Sequence, residues 1–225
     1  MRIEVNNNFF DEWSPEMAYV LGYWFADGDI SRMYKESKNP YKRFKLTSID
    51  NEHLNKIKLL MKSKHKLWKD KTDCYALAFC SSKIYDRIVE LGGCERKSLV
   101  AKFPFVPDEF VRHFIRGYFD GDGSVYFGGS KVPFASFLGT KDFLTILSNY
   151  LCYNVDIEKM GNIYRMTYSG EYAVKVLDYM YRDSKLFLSR KFDRYLKCMK
   201  WKRKRGPYRS WKQYILNNER LPICV

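Results

Sequence analysis

Two stretches of this chain are variants of one another, and each carries small residues at a spacing that makes close packing its natural outcome. Residues 14–30 read SPEMAYVLGYWFADGDI, and residues 107–125 read PDEFVRHFIRGYFDGDGSV. Both open with Pro and an acid in the first turn and run to an Asp-Gly pair, the start and stop signals of a helix. In the first, Ala18, Gly22 and Ala26 recur every fourth residue and line one face. Gly117 and Gly121 repeat that pattern in the second. Because the side chains at a contact set helix separation, two such stripes laid together pack at the short end of the usual range. One acid follows the last small residue of each, Asp27 after Ala26 and Asp122 after Gly121, so packing brings the two side by side although 122 − 27 = 95 residues intervene.

A pair of carboxylates at two converging helix C-termini repels itself, and the negative ends of two helix dipoles add to the repulsion. Divalent cations relieve it, with carboxylate and carbonyl oxygens as hard ligands suited to Mg²⁺ or Ca²⁺. Mg²⁺ takes one or two protein carboxylates and completes its shell with water and substrate phosphate, so the arrangement suits metal-assisted phosphodiester chemistry. A lone small-residue stripe or D-x-D is ordinarily core packing, and the apolar run 17–26 is too short to span a bilayer. The segment beginning at Asp120 does not complete an EF-hand, since its sixth position is Val125 and its twelfth is Lys131. Recurrence of the whole pattern in a basic chain is what lifts it above packing.

That basicity is a formal charge of +14 over 225 residues. It points to a polyanion, most often nucleic acid, and no signal peptide, spanning segment or acylation motif accompanies it to favour a membrane. Between 185 and 212 twelve Lys or Arg face one acid, Asp193, and the interleaved Tyr195, Trp201, Tyr208 and Trp211 suggest an ordered element that grips phosphates. The six cysteines are scattered without C-x-x-C spacing and read as reduced intracellular thiols. With three histidines available, a zinc site would have to be assembled from distant singletons. His113, one turn before Gly117, reads as a packed or hydrogen-bonded interior residue.

After the first signature helix, strands are expected near 28–35 and 41–48, then a helix capped by Asp50 and carrying Leu54, Ile57 and Met61. Strands about 64–69 and 74–81 follow, with a helix capped by Ser82 that ends at Gly92-Gly93. The second half repeats the order: a helix to Asp120, strands near 124–127 and 133–138, a helix 141–152, strands near 155–159 and 163–168 joined by a Gly161-Asn162 turn, and a helix 171–182. The chain therefore reads as α+β, two αββαββα lobes produced by internal duplication. Boundaries are expected at 1–103 for the first lobe with its linker, 104–199 for the second, and 200–225 for a basic tail. Strand alternation places Arg43, Lys45, Lys131 and Arg165 on outward faces that could contact DNA.

The stretches VLGYWFADG and IRGYFDGDG resemble the two signature helices of the LAGLIDADG homing endonucleases, in the single-chain form that carries two copies. The resemblance implies pseudo-twofold lobes packed through these helices, with antiparallel sheets forming a saddle over the DNA major grooves. It also implies a site-specific double-strand DNA endonuclease that leaves short 3′ overhangs at one long asymmetric target. Asp27 and Asp122 would be catalytic and hold the metal, with the Ala26 and Gly121 carbonyls completing its coordination. Mg²⁺ is the expected ion, with Mn²⁺ substituting and Ca²⁺ binding. Phe25 stands where the family often has a first acid, opposite Asp120, an acid that is usually structural; the departure bears on the capping of the first helix. Relatives place a basic residue from each lobe near the scissile phosphates, which nominates Lys97 and Lys191, with Lys83 as a rival and simple phosphate binding as their alternative role.

Two other readings stay open at this level. One is a non-cleaving protein on the same fold, an intron RNA maturase or a DNA-binding regulator, though such relatives are expected to lose one of the two acids. The other is an intein domain; Met1, the absence of a nucleophile at the start and of a terminal His-Asn pair favour a free-standing, intron-encoded or intergenic protein. The expectation is a monomer acting in a bacterial or phage-infected cytoplasm or in an organelle, on double-stranded DNA and conceivably intron RNA.

Overall fold

The computed structural model describes residues 3–202 apart from 35, 39, 70–72 and 130. The first lobe runs α1 (Pro15–Asp27), β1 (Gly28–Met33), β2 (Tyr41–Ser48), α2 (Asn51–Leu60), β3 (Trp68–Lys69), β4 (Tyr75–Cys80) and α3 (Ser82–Glu90). A short 3₁₀ turn, Lys97–Leu99, lies in the connection between lobes. The second lobe repeats the order as α4 (Asp108–Asp122), β5 (Gly123–Phe127), β6 (Pro133–Gly139), α5 (Lys141–Leu151), β7 (Ile157–Met160), β8 (Ile163–Ser169) and α6 (Gly170–Tyr181), and α7 (Ser189–Met199) follows it. The sheets are antiparallel with equivalent strand orders, β1-β2-β4-β3 and β5-β6-β8-β7. The αββαββα duplication read from the sequence is thus the architecture.

The lobes meet through α1 and α4, the most extensive contact between any two elements. Gly22 and Gly117 explain how close the helices come. A Cβ built on Gly22 would lie 2.0 Å from the Phe114 carbonyl oxygen, and one on Gly117 would lie 2.0 Å from that of Tyr19. Each glycine therefore takes the other helix's backbone directly against its own. Around this axis α1 is buried nearly all round, from Met17 to Phe25, and a single apolar cluster runs from Phe44 and Leu77 in one lobe through Tyr19 and Phe114 to Phe137 and Met166 in the other.

Several local expectations change. The strand expected over 64–69 shrinks to Trp68–Lys69, because Lys64 N–H donates to the Glu4 carbonyl at 2.9 Å and Asn6 N–H to that of Met61 at 2.9 Å. The N-terminal arm thereby captures backbone that would otherwise have extended β3. Ser81, not Ser82, caps α3, accepting from Ile84 N–H. Asp50 stands at the N-cap of α2 but makes no side-chain cap bond; its carboxylate accepts instead from Arg190 Nε at 2.9 Å, tying α2 to α7. The second signature helix continues past Asp120 to Asp122, so Asp27 and Asp122 are equivalent, the last helical residue of each. Of the basic tail, residues from 203 onward lie outside the described residues.

The reciprocal glycine contact has a direct consequence. Gly22→Ala or Gly117→Ala places a methyl inside opposing backbone, which cannot rotate away, and is expected to lower unfolding free energy by about 3 kcal/mol or more in urea denaturation. Gly129→Ala, where an added Cβ meets nothing within 4 Å, is expected to stay within about 0.5 kcal/mol of the parent.

Candidate active site

Where α1 and α4 end, the small-residue stripe brings their last turns together. A Cβ on Gly121 would lie 2.3 Å from Ala26 Cβ and 3.3 Å from Asp27 Oδ2, so the Asp27 carboxylate rests against the backbone one residue before Asp122. Both side chains are partly buried. Burial pushes the Asp27 carboxyl above its ordinary range, against the pull of Lys191 and Lys97. Burial likewise raises Asp122, and the neighbouring Asp27 charge raises it further, to about 6. The two acids expected to meet do meet, and the Asp27 charge bears directly on Asp122.

The two nominated lysines converge on the same corner. Lys97, in the 3₁₀ turn and 6% exposed, donates from Nζ to the carbonyls of Ala26 at 3.2 Å and Gly28 at 2.5 Å. Lys191, in the first turn of α7 and 3% exposed, donates to the carbonyls of Phe119 at 2.5 Å, Asp120 at 2.8 Å and Gly121 at 3.3 Å. Each ammonium therefore sits on the orphan carbonyls at the C-terminus of one signature helix, where a cation is favoured. Burial pulls both below the usual lysine range, Lys191 to about 8, with the nearby aspartates opposing the shift. Lys83 is excluded from this group: it is engaged by Asp11 at 2.6 Å and Asn8 at 2.7 Å of the N-terminal arm.

The donor set fits a hard divalent ion. Two ammonium groups are already present, yet burial holds both carboxylates above their normal range, and a divalent ion bound between them would offset that cost. The Ala26 and Gly121 carbonyls each accept one long bond from a lysine and keep a second lone pair. Among the described residues no cluster of three or more His, Cys, Asp or Glu side chains forms. That leaves two carboxylates with backbone oxygens, a set matching the sparse protein coordination of Mg²⁺ rather than an all-protein cage.

No protein-family model matches the chain, and no curated protein matches it in sequence. Solved structures do match in three dimensions. I-SmaMI, bound to uncleaved DNA target in the presence of calcium ions, superposes with a TM-score of 0.57 at 13% identity, over 84% of this chain and 90% of that one. A variant of I-DmoI in complex with its target DNA and in the presence of manganese gives 0.59 at 19% identity, over 76% and 96%. The LAGLIDADG meganuclease I-AabMI, bound to uncleaved DNA, gives 0.59 at 11%, over 83% and 90%. This chain has the LAGLIDADG homing-endonuclease fold.

Within the LAGLIDADG helices, the acid two residues before Asp122 has a different life. Asp120 is 1% exposed and accepts from Tyr19 Oη at 2.6 Å, Leu188 N–H at 2.8 Å and Tyr181 Oη. Tyr19 Oη lies 3.2 Å from His53 Nε2 on α2, while buried Arg116 stacks over the Tyr19 ring and donates to the carbonyls of Met180 and Leu186. Asp120 is therefore a satisfied structural carboxylate that links both lobes. At its counterpart, Phe25 packs edge-on to Phe114 and against Phe143 of the opposite lobe. The departure does not disturb capping: Gly28 and Gly123 N–H groups close the two helices identically, on Trp24 and Phe119 carbonyls.

Three of the four nominated DNA-facing residues lie on the sheet faces turned from the core. Arg43 reaches Asp29 at 3.2 Å, Arg165 reaches Glu158 at 2.9 Å, and Lys45 sits 5.5 Å from the Trp68 ring centroid. Lys131 instead occupies the β5–β6 turn with φ +59°, so strand alternation assigns it no face. Sequence reading missed Asp29, Glu158 and Trp68 as partners of these cations; only the strand register, Asp29↔Lys45 beside Ser31↔Arg43 and Glu158↔Arg165, could have found them.

The two kinds of carboxylate should respond oppositely to neutralisation. A folded pKa raised above the unfolded value gives a contribution present below about pH 3.8 and lost as pH rises through about 6. In metal-free buffer at pH 8, Asp122→Asn is therefore expected to stabilise the fold by about 1–3 kcal/mol, a gain that fades toward pH 4. Asp120→Asn, which breaks a buried network, is expected to destabilise it by about 2–4 kcal/mol. Thermal melts across pH, with and without Mg²⁺, check both.

Proposed function

We propose that this protein is a site-specific, metal-dependent endonuclease that cuts both strands of duplex DNA at one long asymmetric site, acting as a single chain. The observation that carries the reading is the meeting of Asp27 and Asp122 at the junction of two sheets, with a buried lysine behind each. A duplex lying across both sheets would present its two scissile phosphates to this corner, one per lobe. Divalent ions held by Asp27, Asp122 and the Ala26 and Gly121 carbonyls would supply water activation and charge stabilisation for phosphodiester hydrolysis. Mg²⁺ is the proposed ion, with Mn²⁺ and Ca²⁺ able to bind; the solved neighbours with calcium and manganese support divalent use.

The chain's own groups divide the remaining work. Asp27 and Asp122 hold negative charge where cation and phosphate must meet. Lys191 uses all three ammonium protons on helix carbonyls, which makes it a positioning residue for the end of α4. Lys97 uses two, leaving one proton to face a phosphate oxygen or an attacking water.

The test is cleavage of a randomised duplex library in Mg²⁺ by the parent, Asp27→Asn and Asp122→Asn. The parent should return one long cut site with short 3′ overhangs, and both variants should lose complete cutting by about 10³-fold or more. Binding of DNA or RNA with no cutting in any divalent metal would instead favour the maturase or regulator. Lys97→Met should slow cutting by about 10²-fold and, like Lys191→Met, lower the melting temperature, since each removes the buried ammonium bonded to the end of one signature helix.

A further inference from the structure

The two sheets share one register, so their outward positions correspond one for one. Gly28↔Leu46 in the first lobe matches Gly123↔Phe137 in the second, each glycine directly following a helix-terminal acid. Counting outward, Asp29↔Lys45 matches Ser124↔Ser136, and Ser31↔Arg43 matches Tyr126↔Phe134. On the next strand Thr47↔Ala76 matches Leu138↔Arg165, and at the edge Trp68 matches Glu158. Alternate residues on the same strands, Phe44, Leu46 and Leu77 against Val125, Ala135, Phe137 and Met166, form the core.

The backbone is shared but the chemistry is exchanged. Where the first lobe carries Asp29, Arg43 and Lys45, the second carries two serines hydrogen-bonded to each other at 2.8 Å and a parallel aromatic pair, Tyr126 on Phe134, with centroids 5.1 Å apart. Tyr126, Leu138 and Met160 line a groove of about 470 Å³ that begins at Gly121 and Asp122. Its one cation, Arg165, is held by Glu158 at 2.9 Å, as Arg43 of the first lobe is held by Asp29 at 3.2 Å. An open groove with a mostly apolar lining, continuous with the catalytic corner of a +14 chain, lies where the DNA half-site would lie.

Resting on the nuclease reading, we propose that the second lobe selects its half-site through thymine C5-methyl groups, with Tyr126, Phe134 and Leu138 as specificity-determining residues. Thymine alone among the bases presents an apolar group in the major groove. With Ser124 and Ser136 bonded to each other and Arg165 to Glu158, the aromatic and aliphatic side chains here offer guanine O6 and N7 little beyond the Tyr126 hydroxyl and offer a methyl extended apolar contact. The first lobe, where Lys45 stands at the matching position with no carboxylate bonded to it among the described residues, suits guanine. The target is thus T-rich on one side and more G-containing on the other.

The test starts from the cut site recovered from the library. Lys45→Ala identifies the first lobe's half-site as the one where base preference relaxes. Thymines in the other half are then replaced by deoxyuridine, which deletes only the methyl, and binding is measured at fixed salt with Asp27→Asn so that cutting does not intrude. Affinity is expected to fall about fourfold per contacted methyl removed, with no measurable loss from the same change in the first half-site. Tyr126→Ser combined with Phe134→Ser should abolish that sensitivity. A G·C-rich second half-site, or uracil tolerated there without loss while cutting persists, overturns the proposal and leaves the nuclease standing. Failure to bind or cut any DNA removes the nuclease reading itself, and is read at the first step.

Discussion

Everything in this molecule hangs on two backbones touching. Gly22 and Gly117 each receive the opposite helix's carbonyl where any side chain would stand, and this reciprocal contact fixes the separation of α1 and α4. Because each helix ends in an aspartate and passes straight into the first strand of its sheet, the same contact sets where the two carboxylates lie and where the two outward faces begin. A wider crossing built on Ala or Val would have separated the acids and moved both sheets with them.

Two residues apart on one helix, Asp120 and Asp122 show how environment divides the labour of identical side chains. Burial raises the Asp120 carboxyl as well, but two hydroxyls and a backbone N–H satisfy it, so it is part of the architecture. Asp122 is raised to about 6 by burial and by Asp27, with no comparable set of donors, so it retains the tendency to bind a cation. The lysines behind the helix ends moderate this corner without removing that tendency. In the proposed function this is the corner that a divalent metal and a phosphate would share.

The second theme is symmetry kept in the backbone and abandoned in the side chains. Register, strand order and helix ends correspond between lobes, but Phe25 stands against Asp120, Asp50 answers Arg190 rather than capping its own helix, and the outward faces carry opposite chemistries. A single chain permits this, since each lobe need satisfy only its own neighbours. An asymmetric pair of faces is what a protein needs to distinguish one orientation of a duplex from the other.

The repeated spacing of Ala18, Gly22 and Ala26 with Gly117 and Gly121, followed in each case by an acid, determined the helix pair and the meeting of Asp27 with Asp122, because small residues at a helical period have one efficient use. Alternation likewise determined the outward faces of β2 and β8, since a one-residue slip would have buried Arg43 and Arg165. The cap of α3 and the length of β3 were not legible, as they depend on which distant backbone reaches a given N–H first. Nor was the seat of the lysines: Lys97 and Lys191 were nominated from a resemblance, and only packing of the inter-lobe turn and of α7 against the helix ends could put their ammonium groups on those carbonyls. Local periodicity is written in the order of residues, whereas the partner of a charge is decided by whatever the folded chain brings within a few ångströms of it.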